Sequence, residues 1–115
     1  MAGLSLHRFC FALDLVDNAE LIAAYEQRHE PGGVWPEVLA DIRAQGVVQM
    51  EIWRVATHMV MVVDAHEDFP RPRPAEPRVE EWEAQMSGYQ KPLAVAEAGQ
   101  KWLPMTRIFA LDQHE

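Results

Sequence analysis

Between Arg8 and Leu15 large apolar residues recur at every second position, Phe9, Phe11, Leu13 and Leu15, the period of a strand with one buried face. The period then lengthens. Asp17 and Asn18 offer side-chain oxygens to cap a helix, and Leu21, Ile22, Tyr25 and His29 follow along one helical stripe. Pro31 disfavours helical geometry at Glu30 and Gly32-Gly33 loosens the backbone, so this helix is predicted to stop close to His29. Pro36 suits the first turn of a second helix with Trp35, Val38, Leu39 and Ile42 facing inward and Gly46 as its stop.

Val47 to Arg54 and Met59 to Val63 are rich in apolar and β-branched residues and read as a hairpin joined through Val55 to His58. The second of these strands is apolar on both faces, which predicts a central strand covered by helices on one side and by another subunit on the other. Asp68 to Pro77 holds too many prolines for a regular element and reads as an extended surface loop. Val79, Trp82, Met86 and Tyr89 mark a third amphipathic helix ending before Pro92, and a last strand is expected over Leu103–Leu111. The order strand, helix, helix, strand, strand, helix, strand predicts an α+β fold, a ferredoxin-like βααββαβ sandwich.

The chain has 115 residues, enough for one core, so residues 1–115 are read as a single domain. A formal charge of −8 disfavours nucleic acid and anionic membrane surfaces as partners and leaves a neutral small molecule as the easier ligand. No run approaches the length of a membrane span, and His7, Arg8 and Asp14 interrupt the apolar N-terminal stretch, so neither a span nor a secretion signal is expected. The lone Cys10 cannot form an intrachain disulfide, which fits a reducing cytoplasm. Gly-rich phosphate loops and nucleophile-elbow motifs are absent, and His7, His29, His58, His66 and His114 show no metal-binding spacing. No metal and no cofactor are expected.

Two constellations could carry chemistry. Tyr25 and His29 lie four apart and project from the same helical face, where they can address one ligand, although the same spacing also serves ordinary helix packing. The negative end of the helix dipole favours an imidazolium at His29, the charge state of a general acid. In M-E-I-W, alternation places Met50 and Ile52 on one face of the strand and Glu51 and Trp53 on the other. A carboxylate beside an indole suits a sugar, whose C–H face stacks on the ring while its hydroxyls bond the carboxylate; a solvent-facing glutamate fits equally.

Y-E-Q-R-H, then W-P-E-V-L-A-D-I-R-A-Q-G, then M-E-I-W-R together resemble the L-rhamnose mutarotase family over almost the whole chain. The later segments R-V-E-E-W-E-A-Q-M and K-W-L-P-M-T-R-I-F are similar to the branch linked to L-fucose use. The resemblance implies a dimeric α+β barrel, a homodimer without cofactor, in which His29 donates a proton, Tyr25 binds the sugar and Trp82 is the first member of a sugar-contacting Trp pair. Met50 stands where the family has another binding tyrosine, and Glu83 replaces the second tryptophan. The implied activity is interconversion of the α and β anomers of a 6-deoxy-L-hexose, L-fucose or L-rhamnose, a carbohydrate isomerase reaction. It needs an acid at the ring oxygen and a base at the anomeric hydroxyl; His29 is expected to serve the first, and Glu51 or a water the second, with Tyr25, Trp82, Trp53 and Met50 around the sugar. Two other readings share this architecture: a monooxygenase-like dimeric barrel and a sugar-binding dimer without catalysis.

Overall fold

The computed structural model describes residues 6–114; the stretch read for a secretion signal begins outside them. Its elements follow the expected order with a short strand, β4, and a terminal 3₁₀ turn added: β1 (Leu6–Leu15), α1 (Ala19–Arg28), α2 (Pro36–Ala44), β2 (Val47–Val55), β3 (His58–His66), α3 (Pro77–Ser87), β4 (Gln90–Lys91) and β5 (Leu103–Pro104), then the turn at Leu111–Gln113. The sheet is antiparallel in the order β2-β3-β1, with β4 and β5 sharing the remaining edge of β1. β3 is central, as its apolar composition predicts.

Alternation in β1 assigns the two faces. Leu13 and Leu15 pack with Met59 of β3 beneath Tyr25, Val38, Trp82 and Met86 of the helices, and Val47, Val63 and Ala65 extend this core, flanked by Phe9, Phe11 and Met50. The opposite face carries Cys10, Ala12, Val60 and Val62, half-buried within this chain, and an exposed Trp53 and Val55.

Local chemistry explains the boundaries. Asn18 Oδ1 accepts from the Leu21 backbone N–H at 3.0 Å and caps α1. After α1 the chain folds back so closely that a Cβ at Gly33 would lie 2.6 Å from the Arg28 carbonyl oxygen, so only glycine fits there. Gly46 ends α2 with a φ of +99°, the left-handed conformation that a helix stop favours.

The expected last strand requires correction. Only Leu103–Pro104 pairs with β1, at Ala12 and Phe11, followed by one bond from Met105 N–H to the Cys10 carbonyl. Pro104 has no N–H to give to a ladder, and among the described residues no strand lies beside residues 106–110. Ile108 and Phe109 there are exposed, at 94% and 62%. Tyr89 also falls beyond the end of α3, in the turn that leads into β4.

Candidate active site

A cavity of about 300 Å³ opens between α1 and the hairpin, lined by Tyr25, Glu26, His29, Ile52, Trp53, Arg54 and Met59. That volume is at the small end of ligand pockets, roughly 300–1,000 Å³. A shallower depression on the other side of α1, lined by Leu21, Arg28, Gln85, Gly88 and Tyr89, has no imidazole.

His29 is the C-terminal cap of α1. Its Nδ1 is 2.7 Å from the backbone carbonyl oxygen of Tyr25, one of the last four carbonyls of the helix and so without an intrahelical donor. Nδ1–H donates to that oxygen, which fixes the tautomer and leaves Nε2 as the free nitrogen. Among the described residues no protein group bonds Nε2. The ring is held between Tyr25, at 4.3 Å between centroids, and the edge of Trp82, at 5.7 Å.

These surroundings work against the expected imidazolium. Burial pushes the His29 pKa below its usual value near 6.5, the Tyr25 carbonyl opposes that, and the neighbouring Arg28 charge lowers it further. Desolvation outweighs the helix dipole here because the dipole effect is worth only about 0.3–1 kcal/mol at a solvated helix end. The lowered pKa favours the neutral ring at pH 7, with a lone pair on Nε2.

Tyr25 is 4% exposed. Burial raises its pKa, while a hydrogen bond from Gln90 Nε2 to its hydroxyl oxygen, at 3.2 Å, works in the opposite direction. The phenol keeps its proton at neutral pH. Tyr25 also meets Tyr89 edge-on at 5.7 Å.

The other expected site residues divide. Trp53 borders the cavity and Glu51 does not, but both side chains belong to the face away from the helices: Glu51 pairs with Val62 and Trp53 with Val60 there, and the Glu51 carboxylate accepts from Trp53 Nε1 at 3.3 Å. The alternation that separates Glu51 from Ile52 removes it from the His29 side of the sheet, so its expected part as base is not met. Trp82 is 3% exposed and packs against His29 and Trp35 beneath the Arg28 guanidinium, 4.7 Å from its ring; it supports the imidazole and does not line the cavity. Met50 faces the helices, beside Val63 in the core, again outside the lining.

Glu26 and Arg54 are the polar lining residues that sequence reasoning missed, and Ile52 and Met59 the apolar ones. The Arg54 guanidinium donates to Glu26 Oε1 at 2.8 Å and to the Ala56 carbonyl at 2.8 Å, tying α1 to the hairpin at the cavity mouth. Alternation held the clue for Arg54, two residues after Ile52 on the same face. Among the described residues no group of three or more metal-ligating side chains comes together, and no helix is long and apolar enough to cross a membrane.

The fold and the cavity define an α+β domain with a neutral imidazole and a phenol facing a small ligand space. A solved structure described as an L-rhamnose mutarotase from Formosa agariphila superposes with a TM-score of 0.66 over 90% of this chain and 97% of that one, at 18% identity, which establishes the shared fold. The sequence profile described as L-rhamnose mutarotase matches residues 8–111, and the chain belongs to this family of carbohydrate isomerases. It is 42% identical over 115 residues, 96% of its length and 92% of the relative's, to a protein of Xanthomonas campestris pv. campestris named L-fucose mutarotase. It is also 31% identical over 110 residues, 88% of its length and 86% of the relative's, to a UPF0734 protein of Dictyostelium discoideum.

Proposed function

We propose that this chain interconverts the α and β anomers of a 6-deoxy-L-hexose, with L-fucose preferred over L-rhamnose. One observation carries the chemistry: His29, whose Nδ1 is bonded to a backbone carbonyl so that Nε2 is left free, and Tyr25 line the same small cavity. The preference rests on the 42% identity to the protein named L-fucose mutarotase.

In this reading the anomeric hydroxyl gives its proton to His29 Nε2 while the Tyr25 hydroxyl protonates the ring oxygen. The bond from the anomeric carbon to the ring oxygen breaks and an open-chain aldehyde forms. Rotation presents the other carbonyl face, the ring hydroxyl attacks and returns its proton to Tyr25, and His29 protonates the new anomeric oxygen. No net proton is consumed, so two groups that exchange protons suffice. Ile52 and Met59 supply apolar wall for the C–H face of the sugar, and Glu26 and Arg54 meet hydroxyls at the mouth.

A homodimer is part of this proposal. The half-buried Cys10, Ala12, Val60 and Val62 and the exposed Trp53 and Val55 form one apolar face of the sheet, which a second copy would cover; sedimentation should give twice the chain mass of 13.1 kDa. The cytoplasmic location expected from the lone cysteine belongs to the same proposal. The test of activity is saturation-transfer proton NMR of the anomeric signals, with L-fucose and L-rhamnose in parallel. Faster exchange than in buffer alone, larger for L-fucose, is expected. Binding of either sugar by calorimetry without faster exchange refutes catalysis and leaves the sugar-binding reading.

A further inference from the structure

Gln90 is a buried polar residue, 8% exposed, at the start of β4. The turn after α3 and the pairing of β4 with Leu15 of β1 bring its side chain to the hydroxyl of Tyr25. Nε2 donates to that hydroxyl at 3.2 Å, while Oε1 is buried without a hydrogen-bond partner. An orphaned buried carbonyl costs about 1–3 kcal/mol, so a side chain chosen for stability alone would be apolar here.

The arrangement keeps the phenol proton off Gln90. A phenol has one proton, and an amide N–H already occupies a lone pair of its oxygen. The Gln90 carbonyl, the acceptor that could turn the Tyr25 O–H away from the ligand space, makes no bond to it. From this juxtaposition we infer that Gln90 is a positioning residue of the sugar site: it holds the Tyr25 hydroxyl as a hydrogen-bond donor to the substrate. The inference rests on the proposed sugar-binding role of Tyr25 and names the group that sets its polarity.

The tests use anomer exchange kinetics and thermal melting of Gln90→Met, Gln90→Glu, Tyr25→Phe and the Tyr25→Phe/Gln90→Met double variant. Tyr25→Phe is the control for the parent reading: wild-type exchange in that variant refutes the role of Tyr25 and, with it, the inference. Gln90→Met should lose about 2- to 10-fold in kcat/KM, the worth of one neutral hydrogen bond, with a melting temperature equal to or above wild type because the orphaned carbonyl is gone. A purely structural residue would show the reverse. In the Tyr25→Phe background the same change should cost nothing more.

Gln90→Glu supplies a signature in pH. Its protonated carboxyl can donate to the phenol as the amide does, but its carboxylate can only accept, turning the phenol proton away from the sugar. The exchange rate of this variant should therefore fall as pH rises through the carboxyl titration, a limb absent from wild type. Wild-type kinetics in Gln90→Met, an equal loss in the Tyr25→Phe background, or a wild-type pH profile in Gln90→Glu would each overturn the inference.

Discussion

Replacing His29 by alanine removes two things that can be measured separately. The first is the free Nε2. If it is the base at the anomeric hydroxyl, its loss should slow enzyme-catalysed exchange by about 10²- to 10⁴-fold, the usual worth of one positioned proton-transfer group. The second is the 2.7 Å bond from Nδ1–H to the Tyr25 carbonyl, with a half-buried ring packed on Tyr25 and Trp82. A neutral hydrogen bond is worth about 1 kcal/mol, which for a domain of this size lowers the melting temperature by about 4–6 °C. The variant should stay folded at 25 °C, so lost exchange cannot be ascribed to unfolding. Added imidazole should restore part of the rate if the vacated space admits it. The pH profile follows from the lowered pKa. If the neutral ring is the active form, the wild-type rate should decline as pH falls through a value below 6.5. Stability follows the same sign: the unfolded chain takes up the proton first, so the folded state loses ground as pH falls below 6.5. A His29→Ala protein that exchanges anomers at the wild-type rate, or a wild-type profile that improves as the imidazole is protonated, would refute the assignment of His29 as base.

Trp82→Ala should cost about 3–5 kcal/mol by urea unfolding, as for other large core truncations, and should slow exchange as well because the edge against His29 is lost. Arg54→Ala breaks an ion pair whose side chains are 34% and 55% exposed; a loss below about 1 kcal/mol in stability is expected, together with a raised KM, and an unchanged KM would remove Arg54 from the mouth of the site. Asp41 is held below the usual carboxylate range first by its hydrogen bond from Arg73, at 2.8 Å. Its contribution is present above the unfolded pKa near 3.8 and is lost as pH falls through the lower folded value, so Asp41→Asn should melt with a flatter dependence on pH in acid than wild type.

Much of the frame was legible because it depends on local chemistry. The two-residue period of Phe9, Phe11, Leu13 and Leu15 assigned the buried face of β1, and Pro31 with the glycines after it located the end of α1 at His29. Family motifs carried Tyr25 and His29 to one cavity. What failed depended on the third dimension. The charge state of His29 was argued from the helix dipole, although burial under the hairpin decides it. Alternation had already separated Glu51 from Ile52, but the sequence does not say which face the helices cover. Trp82 reads as a ligand aromatic until its 3% exposure makes it a wall behind the imidazole. Gln90 carried no signal: one glutamine after a helix is unremarkable until β4 pairs with Leu15 and brings it to Tyr25.

The bond that closes α1 also governs how the imidazole can take part in repeated turnover. Since Nδ1 is committed to a backbone oxygen, uptake of a proton changes only the opposite nitrogen, and both charge states keep the same ring orientation. The ring need not flip between cycles to be ready for the next sugar. Under the proposed mechanism, any replacement at position 29 must serve as a helix terminator and as a reversible proton carrier at once, a pair of duties that few other side chains can combine.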